Sequence, residues 1–90
     1  MAAEYAKVIA ELPLNLQIAI MRRRKDLSQE KVSRRIRKPQ SVVARLEGKD
    51  ANPRLSTLEA AAKGLDCLLM LIPKKKAAQV AEVVCRDGIR

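Results

Sequence analysis

The sequence has almost no aromatic residues and no histidine: its 90 residues include one tyrosine and neither phenylalanine nor tryptophan. A core without large rings must be built from Leu, Ile, Val, Ala and Met, which suits packed helices. RNA recognition by base stacking needs aromatic platforms, and Tyr5 alone cannot supply them. The sequence also lacks a glycine-rich phosphate loop, paired carboxylates in a plausible cleft, and a nucleophile beside a base. These absences argue against an enzyme.

Cysteines and long apolar runs are scarce as well. Cys67 and Cys85 are too few and too far apart for a zinc site, and there is no histidine to complete one. We therefore expect reduced, structural thiols, no metal and no cofactor. No segment approaches the roughly 20 apolar residues of a membrane span. The opening residues MAAEYAK lack the basic start and apolar run of a secretory signal, so we expect a soluble cytoplasmic protein without membrane contact.

Positive charge is abundant and concentrated in one third of the chain. Nineteen Lys and Arg against ten Asp and Glu give a formal net charge of +9. Residues 22–54 alone contain twelve Lys or Arg and four Asp or Glu, a net charge of +8. A localised basic field is typical of a protein that binds a polyanion. Composition alone leaves nucleic acid and a membrane surface open, but the basic run MRRRKD lacks the bulky aromatic face of a membrane-surface helix.

The spacing of apolar residues predicts a mainly α-helical protein with one short strand near its C-terminus. The predicted helices cover residues 3–11, 14–26, 28–36, 39–47, 56–64 and about 76–85. The six-residue apolar run CLLMLI, residues 67–72, is bounded by Asp66 and Pro73 and favours a strand. We divide the chain into an N-terminal extension (1–13), a central domain (14–66) and a C-terminal segment (67–90).

Two of the predicted helices have the size and spacing of a helix-turn-helix. Residues 28–36 and 39–47 are joined by the short connector RKP, and basic residues surround them. On the second helix, the polar or small residues that share the face opposite Val43 and Leu46 are Gln40, Ser41, Ala44 and Arg45. Gln can pair with adenine, Arg with guanine, and Ala can touch a thymine methyl group. The same residues on an exposed helix would otherwise be ordinary solvent-facing side chains.

The run LSQEKVSRRIRKPQSVVARLEG, followed by NPRLSTL, resembles the phage-repressor type of helix-turn-helix, called Xre-like. The resemblance covers about residues 14–72 and includes the Leu-Ser-Gln-Glu opening, a small residue in mid-helix and a closing aliphatic-Glu pair. The matching positions are Leu27, Ser28, Gln29, Glu30, Ser33, Ile36, Val43, Leu46, Glu47, Pro53, Leu55 and Leu58. This resemblance implies a bundle of short helices that binds double-stranded DNA.

The resemblance also implies roles for individual residues. Gln40, Ser41 and Arg45 would meet base edges. The second helix of the motif, residues 39–47, would be the recognition helix. Gln29 would contact a phosphate and brace this helix. Arg22 would pair with Glu47, and Lys49 would reach the DNA backbone.

The connector departs from the family pattern at two positions. The family usually has glycine with a positive φ where this chain has Arg37, and an aliphatic residue where it has Lys38. A non-glycine residue with positive φ costs on the order of 1 kcal/mol. We expect either a strained turn or a slightly different one, with both cations facing phosphate.

The predicted strand suggests how two chains would associate. Its apolar residues are Leu68, Leu69, Met70, Leu71 and Ile72, and an exposed apolar edge strand invites aggregation. We expect two chains to pair these strands as a homodimer, which would set two recognition helices about 34 Å apart. The alternative is a strand covered within one chain by helices 3–11 and 76–85.

A helix-turn-helix followed by such a strand is similar to antitoxins of bacterial toxin–antitoxin modules. That resemblance implies a repressor of its own operon that also neutralises a toxin protein. Small phage and plasmid repressors share the same core. The sequence therefore predicts a sequence-specific DNA-binding repressor acting on an operator. The alternative is a protein-interaction module that neutralises a partner and binds little DNA.

Overall fold

A computed structural model describes residues 11–88 of the chain, and within this range it has five α-helices and one 3-10 turn. The helices are α1 (Leu14–Arg24), α2 (Gln29–Ile36), α3 (Gln40–Leu46), α4 (Leu55–Gly64) and α5 (Ala77–Gly88), and the 3-10 turn is Lys74–Lys76. All but one residue of the predicted helix 3–11, and the side chain of Cys85, lie outside the described part. The chain divides into a unit Leu14–Leu69, which holds α1 to α4, and a second unit that includes the 3-10 turn and α5.

The core of the first unit is small and aliphatic, as the shortage of aromatic residues predicts. Its buried cluster consists of Ile18, Leu27, Val32, Val43 and Leu65. Val32 and Val43 are the most deeply buried large side chains, and they come from α2 and α3 respectively. Burial of one such side chain is worth about 1.5–3 kcal/mol. These two helices are therefore fixed to the same core through valines on their inner faces.

The start of α2 is fixed by its capping residue. Ser28 has extended backbone angles, and its hydroxyl accepts a hydrogen bond from the Lys31 N–H at 3.0 Å. Glu30 lies in the first turn, where its negative charge interacts favourably with the helix dipole. A cap of this kind contributes about 1 kcal/mol, so the Ser-Gln-Glu opening defines where α2 begins.

Three helices end in the same type of turn without using glycine. The left-handed residues in the described chain are Asp26, Arg37 and Asp66, with φ values of 58°, 56° and 57°. After α2, the Arg37 N–H bonds to the Arg34 carbonyl at 3.3 Å and the Lys38 N–H to the Ser33 carbonyl at 3.1 Å. This is the Schellman pattern, in which the first residues beyond a helix satisfy its last carbonyl groups. Aspartate tolerates left-handed backbone better than arginine, so Arg37 is the most strained of the three.

Helices α2 and α4 approach closely at Gly64. A Cβ atom built on Gly64 would lie 2.5 Å from Cγ2 of Ile36, which real Cβ contacts do not allow. The Arg35 guanidinium also donates a hydrogen bond to the Gly64 carbonyl at 3.1 Å. The absence of a side chain at position 64 therefore allows α4 to support the back of α2.

The predicted strand at residues 67–72 is wrong, because these residues form no strand in the described structure. The Cys67 N–H bonds to the Ala62 carbonyl at 2.7 Å, so the first residue of the run closes the end of α4. The remaining residues have no neighbouring strand among residues 11–88 to satisfy a ladder of backbone hydrogen bonds. The residues proposed for a dimer strand are instead exposed in irregular backbone, and they are Leu68, Leu69, Met70, Leu71 and Ile72.

Candidate nucleic-acid interface

Helix α3 presents two different faces. Val43 and Leu46 are buried, with 1% and 3% of their surfaces exposed, and they hold one side of the helix against the core. The side chains on the other side are all exposed, and they are Gln40, Ser41, Ala44 and Arg45. Gln40 and Ala44 are four residues apart, as are Ser41 and Arg45, so the four residues form one continuous surface. The structure thus brings together the four residues that the sequence predicts as base contacts.

The connector between α2 and α3 is exposed throughout. Arg37 has φ 56° and ψ 42°, so the strained turn, rather than a different one, is the geometry that forms. The Schellman turn keeps its backbone hydrogen bonds, although Lys38 and the buried Ser33 replace the apolar contact that often accompanies it. Pro39 then precedes α3 and accepts a hydrogen bond from the Val42 N–H at 2.9 Å. The two cations of the connector therefore stand in solvent just before α3.

The carboxylate of Glu47, at the end of α3, is held by two other elements. Arg22 of α1 donates from Nε to Oε2 at 2.6 Å and from Nη2 to Oε1 at 2.9 Å. Gln29, at the start of α2, donates from Nε2 to Oε1 at 3.2 Å. The side chains of Arg22 and Glu47 are only 11% and 6% exposed. Because Arg22 and Gln29 both bind the Glu47 carboxylate, the end of α3 is fixed relative to α1 and α2.

The contacts of Arg22 favour the protonated form of its guanidinium group. Its hydrogen bond to Glu47 raises the pKa of the guanidinium; burial lowers it, and the charge of Glu47 raises it further, with a net upward shift. Nη1 of Arg22 also donates to the Leu27 carbonyl at 2.8 Å. Arg22 therefore binds both the turn after α1 and the end of α3.

Sequence reasoning missed one contact to the end of α3. Nδ2 of Asn15, in the first turn of α1, donates to the backbone carbonyl of Glu47 at 3.4 Å. The residues are 32 positions apart, and a half-buried polar residue at the start of a helix carries no periodic signal. Only the folded arrangement of α1 and α3 indicates this role.

Some cations near α3 are already paired, whereas others are available to an anion. Arg34 pairs with Glu30 on the surface of α2, and Arg35 donates to the Gly64 carbonyl. In contrast, the exposed cations that lie in α3 or within three positions of its ends form no ion pair with a described residue, and they are Arg37, Lys38, Arg45 and Lys49. The last of these follows α3 by three positions. Unpaired cations therefore occur before, within and after α3.

A sequence model of the helix-turn-helix family, of the phage-repressor (Xre) type, matches residues 18–70, more than half of the chain. The chain belongs to this family. The family is one of DNA-binding regulatory domains, and it is not a catalytic family. No curated protein and no solved structure matches the chain significantly.

The helix-turn-helix of this chain is formed by α2, the connector and α3. The matched region also contains α4 but ends before the 3-10 turn and α5. Within residues 11–88, no helix is long and apolar enough to cross a membrane. The described residues also contain no cluster of three side chains suited to hold a metal ion.

Proposed function

We propose that the protein is a sequence-specific repressor that reads double-stranded DNA through α3 in the major groove. The observation that carries this proposal is the two-sided character of α3, with Val43 and Leu46 buried and Gln40, Ser41 and Arg45 exposed. The major groove admits one α-helix, and its base pairs present distinct patterns of donors and acceptors. A helix fixed to a core on one side and polar on the other meets both requirements.

Each exposed side chain of α3 has a suitable partner in the major groove. The amide of Gln40 can donate to and accept from adenine, and the guanidinium of Arg45 can donate two hydrogen bonds to guanine. The methyl group of Ala44 suits the thymine methyl group, and the Ser41 hydroxyl can serve as donor or acceptor. We assign base reading to these four residues.

Four further residues are assigned to the phosphate backbone, and they are Gln29, Arg37, Lys38 and Lys49. The amide group of Gln29 has two N–H donors, and only one is needed for its bond to Glu47. Its second donor is available for a phosphate, so one side chain can brace α3 and contact DNA. Arg37 and Lys38 are exposed beside the start of α3, and Lys49 follows its end. Such contacts position the protein on DNA without reading its sequence.

We also propose that the repressor acts as a homodimer. The exposed apolar side chains that follow α4 support this proposal, since Leu68 is 91% and Leu71 is 98% exposed. Leu68 also lines an open groove of about 550 Å³, together with residues that include Leu55, Ala62 and Leu69. Contiguous exposed apolar surface of this kind marks sites of protein association. A two-fold dimer would place two α3 helices on successive turns of an operator.

A second candidate function uses the same apolar residues. We propose that the protein is an autoregulating antitoxin, whose exposed segment 68–72 binds a toxin protein while α3 remains free for DNA. The high exposure of Leu68 and Leu71 favours a protein partner. Co-purification of the product of a neighbouring gene in the same operon would support this role. Purification from the native host without any partner would contradict it.

Selection of bound duplexes from a random pool tests the DNA-binding proposal most directly. The native chain should enrich a short defined sequence, and the variant Gln40→Ala should relax the preference at one position of that sequence. A matched variant, Lys63→Ala on the exposed surface of α4, should enrich the same sequence as the native chain. Enrichment of no sequence by the native chain would contradict the proposal and favour a pure protein-interaction module.

A further inference from the structure

Three consecutive lysines form the 3-10 turn that leads into α5. Lys74, Lys75 and Lys76 are all exposed, and the Lys76 N–H closes the turn onto the Pro73 carbonyl at 2.9 Å. The turn lies beyond residue 70, where the helix-turn-helix match ends. It is therefore a basic feature that the proposed DNA contacts of α2 and α3 do not use.

Among the described residues, no acidic side chain is paired with this turn. None of the three ammonium groups forms an ion pair with a residue in the described part of the chain. The nearest acidic residues in sequence are Asp66 and Glu82. Adjacent like charges repel one another, and an anionic partner would relieve that repulsion. A 3-10 turn has three residues per turn, so its side chains point about 120° apart, and about two of the three can reach one surface.

We propose that the turn Lys74–Lys76 binds DNA phosphates outside the base pairs that α3 covers. The inference rests on the proposed function, since it requires α3 to be on DNA. An ammonium group binds phosphate as a point charge. The turn therefore adds affinity but no sequence preference.

The length of the connecting chain is compatible with this role. The Cys67 N–H is bonded to the end of α4, and residues 67–73 have no regular secondary structure. Seven residues span at most about 25 Å. Phosphates follow one another at about 3.4 Å along the axis of each strand, so this reach covers about seven of them. A connection of this length can therefore bring the lysines to phosphates that flank the α3 site.

The test compares the native chain with the triple variant Lys74→Gln, Lys75→Gln, Lys76→Gln on two duplexes. One duplex is limited to the selected base pairs, and the other extends by about ten base pairs, one helical turn, on each side. On the long duplex, the slope of log K against log salt should become shallower by about 1.8 for two lost phosphate contacts. On the short duplex, the two proteins should bind equally, and the selected sequence should not change. Unchanged far-UV circular dichroism would verify that the variant is folded.

Two control variants isolate the effect of the turn. Replacement of all three lysines by arginine should keep the native slope, because the charges remain. Lys63→Gln should also keep it, because this exposed lysine lies on α4.

Three results would overturn the inference while leaving the function of α3 intact. The first is an unchanged slope on the long duplex, and the second is an equal loss of affinity on both duplexes. The third is binding to phosphatidylserine vesicles that the triple variant abolishes while its DNA slope stays native, which would assign the turn to a lipid surface. Failure of the native chain to bind any duplex would instead overturn the proposed function itself, and the inference with it.

Discussion

At the scale of single residues, Arg37 combines a backbone cost with an electrostatic use. Its φ of 56° lies where glycine is favoured, and no glycine among residues 11–88 has a positive φ. The arginine costs on the order of 1 kcal/mol relative to a residue without a Cβ atom. It also places a cation in the exposed connector before α3. The conformational cost and the proposed phosphate contact can be separated by substitution.

Arg37→Gly should stabilise the fold and weaken DNA binding. Removal of the Cβ atom should raise the free energy of unfolding by about 0.5–1 kcal/mol and the melting temperature by a few degrees. Loss of one phosphate contact should make the salt slope shallower by about 0.9. Thermal unfolding and salt-dependent DNA titration measure the two effects. Arg37→Ala is the matched control, because it should lose the DNA contact without gaining stability. Equal stability of the glycine and alanine variants would contradict the assigned strain.

Arg45→Ala tests base reading at a single side chain. The variant should lose about 1–3 kcal/mol of binding free energy on the selected sequence and should relax the preference at one base pair. Lys49→Ala is the comparison, since the loss of a phosphate contact should weaken binding to all duplexes alike. Competition titrations with selected and random duplexes measure the difference. If Arg45→Ala weakened binding to both duplexes equally, Arg45 would not be a base contact.

At the scale of helices, the network around Glu47 determines how α3 is presented. Arg22 from α1 and Gln29 from α2 hold its carboxylate, and Asn15 from α1 holds its backbone carbonyl. The net stability of a buried ion pair is often near zero, so its main consequence is orientation. The removal of one partner is nevertheless costly, because it leaves a buried charge behind.

Arg22→Met should destabilise the protein by about 3 kcal/mol or more, because Glu47 keeps its buried charge without its guanidinium partner. The double variant Arg22→Met, Glu47→Leu should recover most of this loss, although α3 would then be oriented less firmly. Arg34→Met is the matched control, since its pair with Glu30 is exposed and is worth less than about 1 kcal/mol. Urea unfolding of the four proteins measures the differences. Equal losses for Arg22→Met and Arg34→Met would contradict the structural importance of the buried pair.

The pH dependence of this network follows from the direction of the Arg22 shift. The pKa of Arg22 is raised in the folded chain, chiefly by its hydrogen bond to Glu47. Its contribution to stability is therefore complete below the ordinary arginine pKa and is lost only as the pH rises through the raised value. Titration of Arg22 should consequently cause no loss of stability between neutral pH and pH 10.

Single helices and their boundaries could be predicted from the sequence, whereas pairing and contacts between distant elements could not. Helices α1 to α4 were predictable because each combines an apolar face with a recognisable boundary, such as Ser28 before α2 or Pro39 before α3. The strand at 67–72 was wrong because a short apolar run does not indicate whether a neighbouring strand exists. The contact of Asn15 was not predictable because it depends on the approach of two helices that are distant in sequence.

At the scale of the whole molecule, charge and apolar exposure are separated along the chain. Residues 22–54 carry most of the net positive charge, whereas residues 68–72 expose consecutive apolar side chains. The first feature suits DNA, and the second suits a protein surface. The features that suit the two proposed kinds of partner are thus carried by different segments of the sequence.

The proposed homodimer should depend on the apolar residues after α4. The native chain should have a dimeric mass in sedimentation equilibrium at micromolar concentration, and Leu68→Ser, Leu71→Ser should shift it to the monomer. Both side chains are over 90% exposed, so the double change should not alter the fold of one chain. Val83→Ser, at a half-exposed position of α5, is the control and should leave the dimer intact. A monomeric native chain would contradict the dimer.

The glycine at the contact between α2 and α4 has a consequence for how this protein tolerates mutation. Because a Cβ atom at position 64 would collide with Cγ2 of Ile36, every substitution there must displace this side chain or move the two helices apart. Since Ile36 packs against the buried core that α2 and α3 share, that displacement would also disturb the proposed base-reading surface of α3. In a saturation library selected for the proposed repression, position 64 should therefore be depleted of variants, as should the positions proposed to contact bases. Its intolerance would reflect steric exclusion inside the fold and no contact with the operator.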